Sequence, residues 1–181
     1  VAFGWRHADW FGALKTGLVP VAEGEIDSLE NAALEFGWQG EFWQKPASGS
    51  DRTALSESTE QLRQQIVPPF IALASQTATP FSGESLARAL RELWSALDVE
   101  TTLTKWNAAA NQAAVRHPQS PIHATVFAQM ETWLDNLARA FPSEPLPLRE
   151  WLPILESGLA NLTIGVIPPM LDQVLIGAVD R

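Results

Sequence analysis

The sequence predicts a mainly α fold: an irregular helical domain of about six to seven helices, with a small β element near the C-terminus. Three observations carry this. Apolar residues recur at helical spacing in one segment after another. Residues that start and stop helices bracket those segments. Only the tail, from Leu162 onward, turns to short apolar runs broken by prolines. With 181 residues, 46% of them apolar, the chain is long enough to close one core. Residues 1–181 therefore read as a single helical domain.

The first helix is expected over about 2–15, with Phe3, Trp10, Phe11 and Leu14 on its apolar side, ending near Gly17 before Pro20. The second spans 23–36. Ile26, Leu29, Ala33 and Phe36 make one face, Glu23 and Glu25 suit the positive end of the helix dipole, and Gly37 stops it. Residues 44–52 form a polar loop.

A third helix covers about 54–75, with Leu55, Leu62, Ile66, Phe70 and Leu73 inward. Pro68-Pro69 is expected to kink or break it, because proline lacks the amide donor and clashes with the preceding turn. Ser82 caps the next helix, whose stripe is Leu86, Leu90, Leu93, Trp94 and Leu97. Another helix runs from about 100 to 116 and ends at His117-Pro118. Ser120-Pro121 opens a long one with Ile122, Val126, Met130, Trp133, Leu137 and Phe141 on one side. Residues 142–147 form a rigid linker. The last helix, about 148–159, is expected to bury Leu148, Leu152, Leu155 and Leu159. Two β-like runs, 162–167 and 174–179, flank Pro168-Pro169.

Charge narrows the function classes. The net charge is −9, with 12 Lys and Arg against 21 Asp and Glu, and no basic run occurs. A domain that holds DNA or RNA by itself needs cations to neutralise phosphates, so binding of nucleic acid by this domain alone is not expected, while a local contact inside a larger assembly stays open. The absence of cysteine removes disulfides, Cys-ligated zinc and iron–sulfur ligation. No apolar run approaches the ~18 residues of a membrane span. Arg6, His7 and Asp9 interrupt any signal-like core, which points to a cytoplasmic protein with no membrane partner. Both ends read as cut from a longer polypeptide.

Motifs for chemistry are missing. His7, His117 and His123 lack a second ligand one helical turn away and suit surface or capping roles. Asp27 and Glu30 lie on one helix face, but acid–base work needs burial to raise a carboxyl pKa; solvated or structural roles are expected. Lys15-Thr16-Gly17 matches one β-lactamase element without the accompanying Ser-x-x-Lys. There is no Gly-Lys pair for a phosphate loop, no Gly-x-Ser-x-Gly and no Gly-x-Gly-x-x-Gly. Asn161-Leu162-Thr163 reads as a chance glycosylation match. The eight tryptophans read as core packing rather than base stacking, although Trp38 and Trp43 fall on no clear stripe.

Two segments carry a family resemblance. The first is Leu14-Lys15-Thr16-Gly17-Leu18, Ile26-Asp27, Leu29-Glu30-Asn31, Leu34, Gly37, Gly40 and Trp43. The second runs from Gly165 through Pro168-Pro169-Met170-Leu171-Asp172-Gln173-Val174 to Asp180-Arg181. Both resemble the B subunit of the AddAB (RexAB) ATP-dependent helicase–deoxyribonuclease. Ala32 departs from the tyrosine usual there, at the cost of an aromatic packing contact. The middle, about 45–145, agrees only in being helical.

The resemblance implies a helical, 2B-like insertion of a superfamily 1 helicase fold. Residues 1–43 would be its Lys-Thr-Gly and Leu-Glu-Asn region, and 162–181 a β-like return segment. The parent would resect double-strand breaks for recombination using ATP, magnesium and an iron–sulfur cluster held outside this piece. The piece itself would have no cofactor and no catalytic, cofactor-binding or metal residues. Its partners would be the A subunit, other domains of its own chain, and DNA through the parent complex. Lys15, Thr16, Gln173, Asp180 and Arg181 are the candidate DNA or interdomain contacts; Asp172 and Gln173 also suit a turn after the prolines. Two readings compete: a free-standing helical protein-interaction module with no DNA role, and a small enzyme built on the acids near Asp27. The enzyme requires an acid of raised pKa in a concave pocket.

Overall fold

A computed structural model describes residues 4–44, 56–113 and 122–163. Within them the chain forms eight helices: α1 (His7–Leu14), α2 (Glu23–Phe36), α3 (Glu41–Gln44), α4 (Glu57–Gln76), α5 (Gly83–Ala96), α6 (Val99–Ala113), α7 (Ile122–Ala140) and α8 (Leu148–Ala160). The mainly helical expectation holds, and the short α3 is the helix it omitted.

Local chemistry sets several ends. Ser82 caps α5, its hydroxyl accepting from the Ser85 amide at 3.3 Å, and Ser56 does the same for α4 from Thr59 at 3.1 Å. At α2, Ala22 has no side-chain acceptor, but the Glu25 carboxylate reaches back to the Ala22 amide at 2.9 Å. The same helix ends on Gly37 at φ +68°, and the Trp38 amide donates to the Ala33 carbonyl at 2.8 Å. That pairing closes a left-handed cap suited to glycine.

Two apolar clusters follow from the stripes. The first gathers Trp5, Trp10, Phe11, Leu14, Ile26, Leu29, Trp38, Trp43, Ile66 and Val67, with α1–α4 around it. Trp43 in α3 is fully buried, which explains a tryptophan on no predicted stripe. The second gathers Phe81, Leu86, Ala87, Leu134, Leu137 and Trp151 where α5, α7 and α8 meet. Trp94 packs against both. Helix α5 lies on α4, α6 and α7, and so ties the clusters together.

The β component differs from expectation. Among the described residues, β pairing is one antiparallel bridge, Phe81 with Leu146, whose reciprocal hydrogen bonds are 3.1 and 3.0 Å. Leu162 and Thr163 follow α8 without strand pairing. The remainder of the predicted return segment lies outside the described residues, as do Phe3, Leu55, His117 and the Ser120-Pro121 start.

Three packing expectations are corrected. Of the expected kink or break, the break does not occur: helix α4 continues through Pro68 and Pro69. Ile66 and Val67 are buried to 1% exposure beside them, and that packing offsets the lost amide bonds. Phe36 is 44% exposed, not on the buried face, because α2 ends there. Leu159 is 43% exposed; α8 is anchored by Trp151 instead. Gly158 presses against the Trp133 indole, which directs Leu159, about 100° further round the helix, to solvent.

Candidate functional site

The region singled out at Lys15-Thr16-Gly17 is the turn that leaves α1. Lys15 is the C-cap residue. The Thr16 hydroxyl donates to the Ala13 carbonyl at 2.8 Å and accepts from the Leu18 amide at 3.3 Å. Gly17 sits at φ +75°, a conformation that favours glycine, and an added Cβ would lie 3.0 Å from the Trp106 ring, a tight contact. The three residues thus build a tight helix exit, with Thr16 satisfied within its own turn.

Lys15 reaches across to α2. Its Nζ lies 2.9 Å from Asp27 Oδ1 and 2.5 Å from Glu30 Oε2. Glu30 Oε1 also meets His7 Nε2 at 3.2 Å. Hydrogen bonding to Glu30 and then Asp27 pushes the lysine well above its ordinary range. The Lys15 contact holds Glu30 below the usual carboxylate value. The cluster is an electrostatic tie between α1 and α2. An acid–base site near Asp27 would need a raised carboxyl pKa; Glu30, the acid that shares Lys15 with Asp27, shifts the other way.

A second tie was not visible in the sequence. Arg91 on α5 bonds Glu131 Oε2 at 2.6 Å and Asp135 Oδ1 at 2.7 Å, both on α7. Its pKa rises, chiefly through the Glu131 bond. Glu131 and Asp135 stand one helical turn apart, a usable signal, but their partner is 40 and 44 residues away. A cleft of about 390 Å³ opens beside this pair, walled by Trp94 and Phe127.

These geometries tie neighbouring helices together. Among the described residues, no three His, Cys, Asp or Glu side chains gather as a metal site. No described helix is long and apolar enough to cross a membrane. Lys15 and Thr16 are brought together at the α1 exit, whereas Gln173, Asp180 and Arg181 lie outside the described residues.

Comparison with known proteins then shows what the chain is similar to. Over 98% of its length the chain is 31% identical to the B subunit of the ATP-dependent helicase/deoxyribonuclease of Desulforamulus reducens, and it is 31% identical to that of Heliobacterium modesticaldum. It is 29% identical to the Clostridium novyi protein of the same name. This chain is homologous to a segment of that B subunit. It spans only 16% of the length of each of these curated relatives. No family model matches the chain. The B-subunit likeness covers the helical middle as well as the two motif-bearing ends, so the helical body belongs to the resemblance too.

Proposed function

We propose that this chain is a non-catalytic structural and contact domain within the B subunit of an ATP-dependent helicase/deoxyribonuclease, acting in double-strand break repair by homologous recombination. The observation that carries the reading is coverage: nearly all of this chain aligns with about one sixth of each much longer relative. In this reading, a segment of that proportion works through the domains around it. The ties at Lys15 and Arg91 fit this role, since they neutralise their cations internally and hold helix pairs in register.

The cofactors of such a parent do not fit the residues present. There is no cysteine for an iron–sulfur cluster and no Gly-Lys pair for a phosphate loop. ATP, magnesium and the cluster would be held elsewhere in the parent. Its partners would be the A subunit and the remaining domains of its own polypeptide, with DNA reached through the assembled cytoplasmic complex. Lys15 and Thr16, already engaged, would act by shaping the α1 exit; Gln173, Asp180 and Arg181 stay candidates for interdomain or DNA contact.

The test is direct. The purified 181-residue chain is assayed for ATP hydrolysis and DNA degradation beside the intact two-subunit complex. The expected result is activity in the complex and none in the chain. ATP turnover or DNA cleavage by the chain alone would sink the proposal.

A further inference from the structure

Three aromatic rings at the end of α2 form a short stack with an exposed outer ring. Phe36 lies on Trp38 with centroids 5.3 Å apart and planes 22° from parallel, and Trp38 lies on Phe42 at 4.5 Å and 7°. Phe36 and Phe42 both stack on Trp38 without a ring contact to each other, so they occupy its opposite faces. Trp38 is accordingly only 4% exposed. Phe36, the outer ring, is 44% exposed, in contrast to the buried Trp38 beneath it.

The surroundings select what would continue this stack. A ring face takes another flat group, which means an aromatic side chain, a nucleobase or a guanidinium. The last turn of α2 contains no basic residue, so the negative end of its dipole is uncompensated. Glu35, exposed and adjacent in sequence, has no ion-pair partner among the described residues. A nucleobase would bring phosphate toward these negative groups and toward a chain of net charge −9. A neutral aromatic ring would gain nothing from them. A guanidinium is flat, always charged and stacks readily on rings.

We propose that the Phe36 end of the Phe36–Trp38–Phe42 stack is a contact point for an arginine side chain of a partner protein, with Glu35 and the α2 C-terminus supplying charge. This deepens the contact-domain reading by naming the partner chemistry at one surface, and it rests on that reading only for its biological setting.

The test uses the 181-residue chain and capped tripeptides with arginine, citrulline, lysine or phenylalanine between glycines, plus oligothymidylate. NMR follows the Phe36 ring and the side-chain methylenes of the peptide. The arginine peptide is expected to bind saturably with upfield ring-current shifts, and citrulline about two- to fivefold more weakly. Glu35→Gln should narrow that gap, and Phe36→Leu should remove the upfield shifts while the Trp38 indole signal confirms the fold. Equal binding of citrulline, tighter binding of phenylalanine or oligothymidylate, or shifts that survive Phe36→Leu would each overturn the proposal. Catalysis by the chain would defeat the contact-domain reading without touching this titration, so the two failures are distinguishable.

Discussion

Gly83, at the start of α5, and Phe141, just after the end of α7, meet backbone to backbone. The Gly83 amide donates to the Phe141 carbonyl at 2.9 Å, and a Cβ on Gly83 would lie 2.9 Å from that same oxygen and 2.7 Å from the Leu137 carbonyl. Both obstacles are backbone atoms, which cannot step aside like a side chain.

Gly83→Ala should therefore destabilise the chain by about 1–3 kcal/mol, the usual cost of overpacking, although alanine is the better helix former. Gly24 on α2 is the control, because a Cβ there meets nothing within 4 Å. Gly24→Ala should stabilise by about 0.4–1 kcal/mol. Urea denaturation of both variants checks the pair; equal effects would show that the α5–α7 approach is looser than described.

Trp151 closes the second cluster. Its indole Nε1–H is shared between the Phe81 and Leu146 carbonyls, each at 3.1 Å, so one donor ties the β bridge to α8. Trp151→Phe keeps most of the apolar bulk and should cost about 1–2 kcal/mol through the lost hydrogen bond and reduced ring. Trp151→Ala should cost about 3–5 kcal/mol. Thermal melts of the two variants would rank them; a phenylalanine as harmful as alanine would contradict this partition.

The Lys15–Glu30 tie predicts a pH signature. Glu30 is held below its ordinary range by Lys15, so the folded state binds its proton less readily than the unfolded state. The resulting stability is present above the unfolded glutamate value, ~4.3, and is lost as pH falls through the lower folded value. Lys15→Met should lower the melting temperature at neutral pH. The gap to the unmodified chain should close under strongly acid conditions and shrink in high salt, since Lys15 and Asp27 are substantially exposed. A gap independent of pH would exclude this charge contact as its cause.

Pro68 sits on the exposed side of α4, where its ring costs an amide bond. Pro68→Ala restores the donor and should stabilise by about 1–3 kcal/mol, after allowing for the more flexible unfolded chain. Denaturant midpoints would check it. A loss of stability would mean that the proline ring makes a packing contribution of its own.

Much of the fold was legible because local chemistry and tertiary packing agree. The α2 range follows from Ile26, Leu29 and Ala33 at helical spacing, acids in its first turn and Gly37 behind it. Ser82 and the stripe beginning at Leu86 mark α5 in the same way. α3 was missed because four residues cannot display a helical period, although the buried Trp43 and the nearby glycines hinted at a packed corner. The candidate site was legible only in part. Lys15 and Thr16 were found by motif, but their engagement with Asp27, Glu30 and Ala13 was not, and Arg91 had no visible partner.

The sequence by itself determined which segments are helical, where most of them stop, and the B-subunit resemblance, because periodicity, caps and motif order are local properties. Only the tertiary structure decided which apolar residues find cover. Phe36 and Leu159 continue the stripes of α2 and α8 yet stay exposed, while Trp43 lies on no stripe and is fully buried. It also decided that Pro68-Pro69 does not break α4, and that Lys15 and Arg91 are neutralised by acids on neighbouring helices. The physical reason is the same in each case. Burial and ion pairing depend on what a second element places opposite a residue, and that partner is fixed by packing rather than by neighbours in the chain.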